Sequence, residues 1–392
     1  MSNISKSRLL ATSAIAGLSI LQLTPAAQAQ DSFGIHNDQP DPLEISVGED
    51  EEIVGSDIGI YADNGAVIVD NAGVVRGNGA SNGPGIDSRP SGGIVIAQPG
   101  SEITNSGEIS GAANGIATSY FFSEDENDEE LPPEARAADT VVVNTGLISG
   151  EGGSGVSLVG GGSVTNDGTI RGLDGFPGSG VPGVGVAISE FPGAIAEGVD
   201  GIGTIVNNGE GVIEGQTFGA VLSGGGTIEN HGAIRATGQY NPTIPGAQTP
   251  IGIILGATPE QEGRSATLTN GGLVQGFLGV VAAGSLDTVT IENGGIINGQ
   301  AFGILGSSAG ALAIDNAEDG QILAGGNAIN VGTSTLALDN AGLIQSQSQN
   351  GVNIQSADAV IENSGTIRGG VSGITTSVFQ SSPGVFEARR SR

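Results

Sequence analysis

The chain has 392 residues, 71 glycines, no cysteine and a formal net charge of −30 at pH 7. The lack of cysteine excludes disulfides, thiol catalysis and cysteine-ligated metal sites. The strong negative charge argues against nucleic-acid binding, because such a surface repels phosphate backbones. Hydrophobic residues make up 37% of the chain and recur in register, which argues against a disordered chain.

Residues 1–29 have the pattern of a secretory signal peptide. Lys6 and Arg8 form a positive start, an apolar run follows, and Ala27-Gln28-Ala29 is a small-x-small cleavage signature. The apolar run is shorter than the ~20 residues of a membrane-spanning helix. We therefore expect export with cleavage before Gln30, and no integral membrane segment.

A short repeat dominates the rest of the chain. Its cleanest copy, residues 361–369, reads Ile-Glu-Asn-Ser-Gly-Thr-Ile-Arg-Gly. From Asn270 onward the repeat asparagines are 23 or 24 residues apart, a period that is typical of a solenoid. The eleven copies are marked by Asn71, Asn105, Asn144, Asn166, Asn207, Asn230, Asn270, Asn293, Asn316, Asn340 and Asn363.

Each repeat contains three short segments in which apolar and polar residues alternate, the pattern of a strand with one buried face. Asn and Gly between the segments allow sharp turns. We therefore predict an all-β fold, a right-handed single-stranded parallel β-helix of about 11 rungs with loop insertions. The predicted inward residues of two rungs are Ile361, Ile367 and Ile374, and Val289, Ile291, Ile297 and Ile304.

The repeat asparagines are predicted to form a structural column. An asparagine side chain carries both an amide donor and a carbonyl acceptor. Stacked in successive rungs, these side chains can bond to one another and to the backbone of the turn, where unpaired groups would otherwise cost free energy. We interpret the column as structural rather than as a ligand site.

The spacing of the repeats also predicts the domain boundaries. Residues 30–57 precede the first clear copy and are expected to cap the open end of a coil that spans residues 58–376. The tail at 377–392 loses the pattern. Where copies lie further apart, the extra residues are expected to leave the coil as loops. These excursions are residues 78–92, 119–139, 173–203 and two segments within 237–265.

The repeats, together with the signal peptide and the lack of cysteine, resemble the passenger domains of autotransporters, the β-helical surface proteins of Gram-negative bacteria. The resemblance covers roughly residues 60–376. It implies transport through the outer membrane and adhesion or display outside the cell. Members of the family carry a C-terminal membrane barrel, and this chain shows no such pattern before Arg392. The resemblance therefore implies a separate or missing barrel translocator as a partner.

An acidic residue precedes the repeat asparagine in four consecutive rungs, at Glu292, Asp315, Asp339 and Glu362. Stacked rungs would bring these carboxylates about 5 Å apart. Ca²⁺ prefers such oxygen ligands, so one interpretation is a calcium-binding stripe. The alternative is a solvated acidic stripe, and no other cofactor is indicated.

The densest charge lies at residues 124–130, inside the excursion 119–139. It is interpreted either as a loop that binds a partner or a cation, or as a flexible acidic insertion. The sequence predicts no catalytic residue, because it contains no serine-based nucleophile motif and its two histidines, His36 and His231, stand apart from each other.

The favoured function is non-enzymatic: a secreted or surface β-helical adhesin, interaction surface or display stalk. Its partner would be a protein or glycan on a host or neighbouring cell. Two alternatives stay open. One is a β-helix polysaccharide lyase or glycoside hydrolase that uses loop carboxylates. The other is a truncated autotransporter fragment without an independent function.

Overall fold

The computed structural model describes residues 19–20, 33–79, 91–118, 139–174, 182–189, 201–241, 243, 248–257, 263–307, 310–332, 335–355, 358–376 and 387–390. These residues form strands and turns and contain no helix. Most of the predicted signal peptide, the acidic segment 124–130 and most of the tail 377–392 lie outside them.

The strands form three parallel columns, which we call A, B and C in the order in which the chain visits them from Leu43 onward. Every strand except the last of each column pairs in parallel with the equivalent strand one turn later, so each column is a ladder of stacked rungs. The predicted fold class is confirmed, since the chain winds into an all-β parallel solenoid. The described part contains twelve rungs when they are counted along column A.

Column A consists of Leu43–Val47, Val67–Asn71, Glu102–Asn105, Thr140–Asn144, Gly162–Asn166, Gly203–Asn207, Gly226–Asn230, Ser265–Asn270, Thr288–Asn293, Ala311–Asn316, Thr335–Asn340 and Ala359–Asn363. Two further short strands, Ser19–Ile20 and Glu387–Arg390, pair with its first and last members.

Column B consists of Glu52–Gly55, Val74–Gly77, Glu108–Gly111, Leu147–Gly150, Thr169–Gly172, Val212–Gly215, Ala233–Ala236, Gln321–Ala324, Leu343–Ser346 and Thr366–Arg368. Column C consists of Phe33–Asn37, Ile58–Ala62, Gly92–Ile96, Asn114–Thr118, Ser154–Val159, Val184–Ser189, Phe218–Leu222, Ile251–Leu255, Ile329–Val331, Asn350–Ile354 and Ser372–Thr376. Two long strands, Leu273–Ala282 and Ile296–Gly306, run through both columns.

The segment 30–57, predicted to be a cap, contributes strands in the same registers as the later rungs. Phe33–Asn37, Leu43–Val47 and Glu52–Gly55 pair with the next strands of columns C, A and B. The coil therefore begins ahead of the boundary predicted at residue 58. The repeat is hard to recognise here because Val47 occupies the register position that an asparagine holds in the following rung.

The interior is filled with aliphatic side chains from all three columns, which form one continuous cluster. Of the predicted inward residues, Ile291, Ile297 and Ile304 are fully buried. In the last rung, Ile361 is 3% exposed, whereas Ile367 and Ile374 are partly buried and pack against the end of the cluster. Such β-branched residues suit a narrow interior between pleated sheets.

At the corner between columns C and A, one glycine packs against two large aliphatic side chains. Gly203, the first residue of a column A strand, lies between Ile188 of the preceding column C strand and Leu222 of the following one. A Cβ atom on Gly203 would lie 2.7 Å from Leu222 Cδ2. The large side chain of one strand thus occupies the space that the neighbouring glycine leaves free, which keeps the interior close-packed.

Candidate interaction surface

The eleven repeat asparagines stand in one column at the end of the column A strands. Each amide Nδ2 donates to the Oδ1 of the asparagine in the next rung, and all ten distances are 2.7 or 2.8 Å. All ten bonds point the same way along the coil. Such aligned chains of hydrogen bonds in a buried setting polarise and strengthen one another.

Ten of the eleven asparagines also bond a carbonyl oxygen of the turn that follows them. Asn293 Nδ2, for example, lies 3.2 Å from the carbonyl oxygen of Gly295. The backbone carbonyl of Asn270 accepts the N–H groups of Gly294 and Gly295 in the next rung. The amide column therefore satisfies the backbone of a buried turn, which supports its structural interpretation. At its first member, the buried Asn71 Oδ1 has no partner among the described residues.

The four acidic residues Glu292, Asp315, Asp339 and Glu362 occupy one register position in four consecutive rungs. Their side chains are exposed on the outer face of column A. Among the residues that the structure describes, no group of three or more His, Cys, Asp or Glu side chains could hold a metal ion. The stripe is a line of carboxylates that lie one rung apart along the coil.

The outer faces of columns A and B carry different charges. The column A strands that hold this stripe and its continuation, from Leu43 to Asn363, contain no lysine or arginine. On column B, by contrast, the row of outward residues two positions into each strand includes arginines. These are Arg76, Arg171, Arg235 and Arg368.

Two of these arginines form ion pairs across rungs. Arg76 Nη2 lies 3.1 Å from Glu108 Oε1, and Arg76 Nη1 lies 3.7 Å from Glu52 Oε1. Arg235 Nη1 lies 3.4 Å from Glu214 Oε1. These side chains are partly exposed, so each pair contributes little to stability. The arginines make the outer face of column B less acidic than that of column A.

The outer face of column C is mainly apolar. One row of outward residues runs along this face in continuous register. We call the central part of this row the aliphatic stripe, and its side chains are partly exposed or nearly buried. The aliphatic stripe consists of Ala187, Val221, Ile254, Val281 and Leu305. An apolar row on the outside of a solenoid differs from the polar outer face that an exposed strand normally shows.

At the N-terminal end, the same face carries an aromatic group. The Phe33 ring lies 4.8 Å from that of Tyr61, and the His36 ring stacks on Tyr61 at 5.0 Å between centroids. Ile58 and Val95 complete this cluster, which is separate from the interior core. Column C therefore buries apolar side chains on both of its faces over these rungs.

At the C-terminal end, amides replace the apolar residues of this row. Asn353 Nδ2 donates to Asn330 Oδ1 over 2.7 Å, and Asn350 Nδ2 lies 3.2 Å from Asn327 Oδ1. The outer face of column C thus changes from apolar to polar after Leu305.

The long excursions all leave and rejoin the coil at the two borders of column C. Between column B and column C, strands are separated by residues 78–91, 173–183 and 237–250; between column C and column A, the long separations are 119–139, 190–202 and 256–264. Turns from column A to column B contain only two to four residues. Among the described strands, long insertions therefore occur on both sides of column C and not between columns A and B.

The base of one excursion is held together by hydrogen bonds. Asp174 Oδ1 accepts from the N–H of Gly183 and from Thr217 Oγ1, both at 2.6 Å. The two bonds hold Asp174 and Gly183, at the two ends of this excursion, close together and connect them to Thr217 in the next rung. At another excursion, the Tyr240 ring contacts the Phe277 ring at 4.5 Å between centroids.

Sequence reasoning located the asparagine column and the acidic stripe but missed the face of column C. In the column C strands the outward residues are apolar like the inward ones. The sequence therefore does not show which face of these strands is buried. The available signal was the grouping of the excursions, which all fall on the two turns next to the third strand of the rung.

No helix among the described residues has the length and apolar character needed to cross a bilayer. A scan against protein-family models found no match, and searches of curated proteins and of solved structures found none either.

Proposed function

We propose that this chain is an exported β-helical protein of a Gram-negative bacterium that acts without catalysis, as an adhesin, interaction surface or display stalk. The observation that carries the proposal is the grouping of all long excursions at the borders of column C, whose outer face holds the aliphatic stripe. In solenoids, insertions that collect on one face commonly build the binding face.

The coil is well suited to present such a face. Twelve rungs at about 4.8 Å per rung give a rod roughly 50 Å long. The aliphatic interior runs through it without interruption, and the asparagine column runs through every one of these rungs except the first. A rigid scaffold that positions variable loops is the usual arrangement of a recognition surface.

The partner that we propose is a protein or glycan on a host or neighbouring cell. Export would begin at the predicted signal peptide, and passage through the outer membrane would use a separate barrel translocator. Cell fractionation tests this route. The chain is expected at the cell surface or in the medium only when a barrel protein is supplied, and retention in the periplasm in every case would contradict it.

The binding proposal is tested with charge placed in the aliphatic stripe. Purified protein with both Ile254→Lys and Leu305→Lys is compared with wild type for binding to epithelial and bacterial cells by flow cytometry. Loss of binding is expected, because a desolvated lysine cannot replace an aliphatic contact. The control is Thr227→Lys, which adds charge to an exposed position on column A.

Retained binding by the column C variant, with far-ultraviolet dichroism unchanged, would overturn the assignment of this face. Incubation of the wild-type protein with a panel of acidic and neutral polysaccharides provides a second arm. Newly formed reducing ends or unsaturated products would instead support the lyase or hydrolase alternative.

A further inference from the structure

Amide side chains form a polar patch on the outer face of column C, next to the aliphatic stripe. The outward row that contains Leu305 continues, one residue per rung, through Asn330, Asn353 and Thr375. Neighbouring side chains hydrogen-bond to this row or to one another. We call this group the amide patch, and it consists of Asn327, Asn330, Asn350, Asn353, Gln355 and Thr375.

Two groups of the amide patch are left unused by the protein. Asn330 Oδ1 accepts from Asn353 Nδ2 over 2.7 Å and from Gln355 Nε2 over 3.5 Å. Asn330 Nδ2 and Asn353 Oδ1, by contrast, have no hydrogen-bond partner among the described residues. Asn330 is only 7% exposed and Asn353 only 8%, and polar groups set so deeply are normally paired.

These two groups can still be reached from outside, because neither is among the fully enclosed unpaired atoms of the described residues. They belong to side chains that are register partners in neighbouring rungs. The patch therefore offers one donor and one acceptor, about one rung apart, to a molecule bound along the coil.

The surroundings of the patch carry no charge. The described strands of column C contain no Asp, Glu, Lys or Arg. The same holds for residues 300–307, 325–332, 347–355 and 370–376, which surround the patch in consecutive rungs. In a chain with a net charge of −30 this is an unusual face. A charged ligand would lose hydration here without meeting an opposite charge, so the patch suits a neutral ligand.

Sugar hydroxyl groups match this chemistry, because each is both donor and acceptor, as an amide side chain is. The C–H groups of a sugar ring can pack on Leu305 and Val281, which continue the row beside the patch. An extended peptide matches less well, since it binds through main-chain hydrogen bonds at a sheet edge. On this face, the strands around Asn330 are paired with both neighbouring rungs.

We propose that the amide patch binds a neutral polysaccharide, whose hydroxyl groups bond to Asn330 Nδ2 and Asn353 Oδ1. The sugar chain runs along column C, from the amide patch onto the aliphatic stripe. This inference rests on the proposed function, because it assigns a neutral glycan as the partner of the column C face. Binding through neutral groups depends little on ionic strength, whereas binding through exposed charges is screened by salt.

Isothermal titration calorimetry on the purified protein tests the ligand class. The neutral probes are hexasaccharides of glucose, mannose, galactose and N-acetylglucosamine, and the acidic probe is the hexasaccharide of galacturonic acid. At least one neutral probe is expected to bind, with similar affinity in low and in high salt, and the acidic probe is not. Failure of every neutral probe to bind, or equally tight binding of the acidic probe, would overturn the proposal.

Two variants of the amide patch test the site. Asn330→Leu with Asn353→Leu removes both members of one hydrogen bond together, so neither is left unsatisfied. Asn330→Asp keeps an oxygen that accepts from Asn353 Nδ2 and loses only the unused donor. Each is expected to keep the wild-type far-ultraviolet dichroism and to bind the neutral probe roughly tenfold or more weakly. Unchanged affinity in both would overturn the assignment and leave the amides a structural role only.

The matched control is Gln275→Leu with Asn298→Leu. These amides are register partners in neighbouring rungs on the outer face of column B. The control is expected to bind the neutral probe like wild type. A loss of affinity equal to that of the amide-patch variants would contradict a site on column C.

Cell binding separates this inference from the proposed function. Cell binding that is lost in the variant with Ile254→Lys and Leu305→Lys, without binding of any neutral probe, would overturn the glycan site and leave the binding face in place. Binding of a neutral probe that the amide-patch variants weaken, without binding to cells, would support the site and contradict the cell-surface partner.

Discussion

Asn293 Nδ2 lies 2.8 Å from Asn316 Oδ1, and both side chains are almost completely buried. The same atom also lies close to the carbonyl oxygens of Gly295 and Gln321. One amide group therefore ties two consecutive rungs together at a turn that water does not reach. This relationship, repeated along the coil, leads to the first prediction.

Asn293→Ala is expected to lower the free energy of unfolding by about 1–3 kcal/mol. The substitution leaves Asn270 Nδ2 without its acceptor in the next rung and Asn316 Oδ1 without its donor, and buried unsatisfied groups cost about this much. Urea denaturation followed by far-ultraviolet dichroism measures the change. Asn298→Ala, at an outward position on column B, serves as the control and is expected to change stability by less than about 0.5 kcal/mol.

The first member of the column leads to a second prediction. The buried Asn71 Oδ1 lacks a donor among the described residues, and the register partner of Asn71 is Val47. Val47→Asn would place an amide donor one rung below Asn71, as in every later rung. The variant is therefore expected to lose less stability than Val69→Asn by more than about 1 kcal/mol, because both valines lie in the aliphatic cluster but only Val47 is the register partner of Asn71, whose Oδ1 has no partner among the described residues. Equal melting temperatures of the two variants would contradict this expectation.

The close packing at the corner between columns C and A predicts that a single added methyl group lowers the stability of the protein. In Gly203→Ala, the new Cβ would lie 2.7 Å from Leu222 Cδ2 and 2.8 Å from Ile188 Cγ2. Overpacking of this kind costs about 1–3 kcal/mol of stability. Gly209→Ala is a suitable control, since nothing lies within 4 Å of its Cβ position.

A double variant isolates the cause of that loss. Leu222→Ala alone should be strongly destabilising, because it leaves a cavity. Combined with Gly203→Ala, its cost should be less than the sum of the two single changes, since the small residue relieves the clash. Strict additivity would show that Leu222 is not what restricts the size of residue 203.

The strands and turns of the coil could be predicted because each repeat contains a sequence signal for them. Asn363 and its equivalents mark the turn, and the alternation around Ile361 marks a strand with one buried face. The compensation between Leu222 and Gly203 could not be predicted, because it depends on which residues meet across a corner. The first rung was missed since Val47 replaces the marker asparagine, and the stripe through Ile254 was missed because both faces of its strand are apolar.

The acidic stripe predicts a stability that depends on ionic strength. Asp315 lies between Glu292 and Asp339 in register, and two carboxylates about 5 Å apart in water repel by about 1 kcal/mol. Asp315→Asn should therefore raise the melting temperature in low salt. The gain should nearly disappear at about 1 M salt, where the Debye length is only about 3 Å. Differential scanning calorimetry at the two salt concentrations measures both effects.

The same stripe allows a direct test for calcium. The four carboxylates lie in a line along the coil, whereas Ca²⁺ takes about 6–8 oxygen ligands grouped around one point. Wild-type protein is therefore expected to melt at the same temperature in CaCl₂ and in MgCl₂ of equal ionic strength. Asp319→Asn, in an exposed turn outside the stripe, controls for the loss of one charge. A rise in melting temperature that is specific to calcium and abolished by Asp315→Asn would instead establish an ion site along column A.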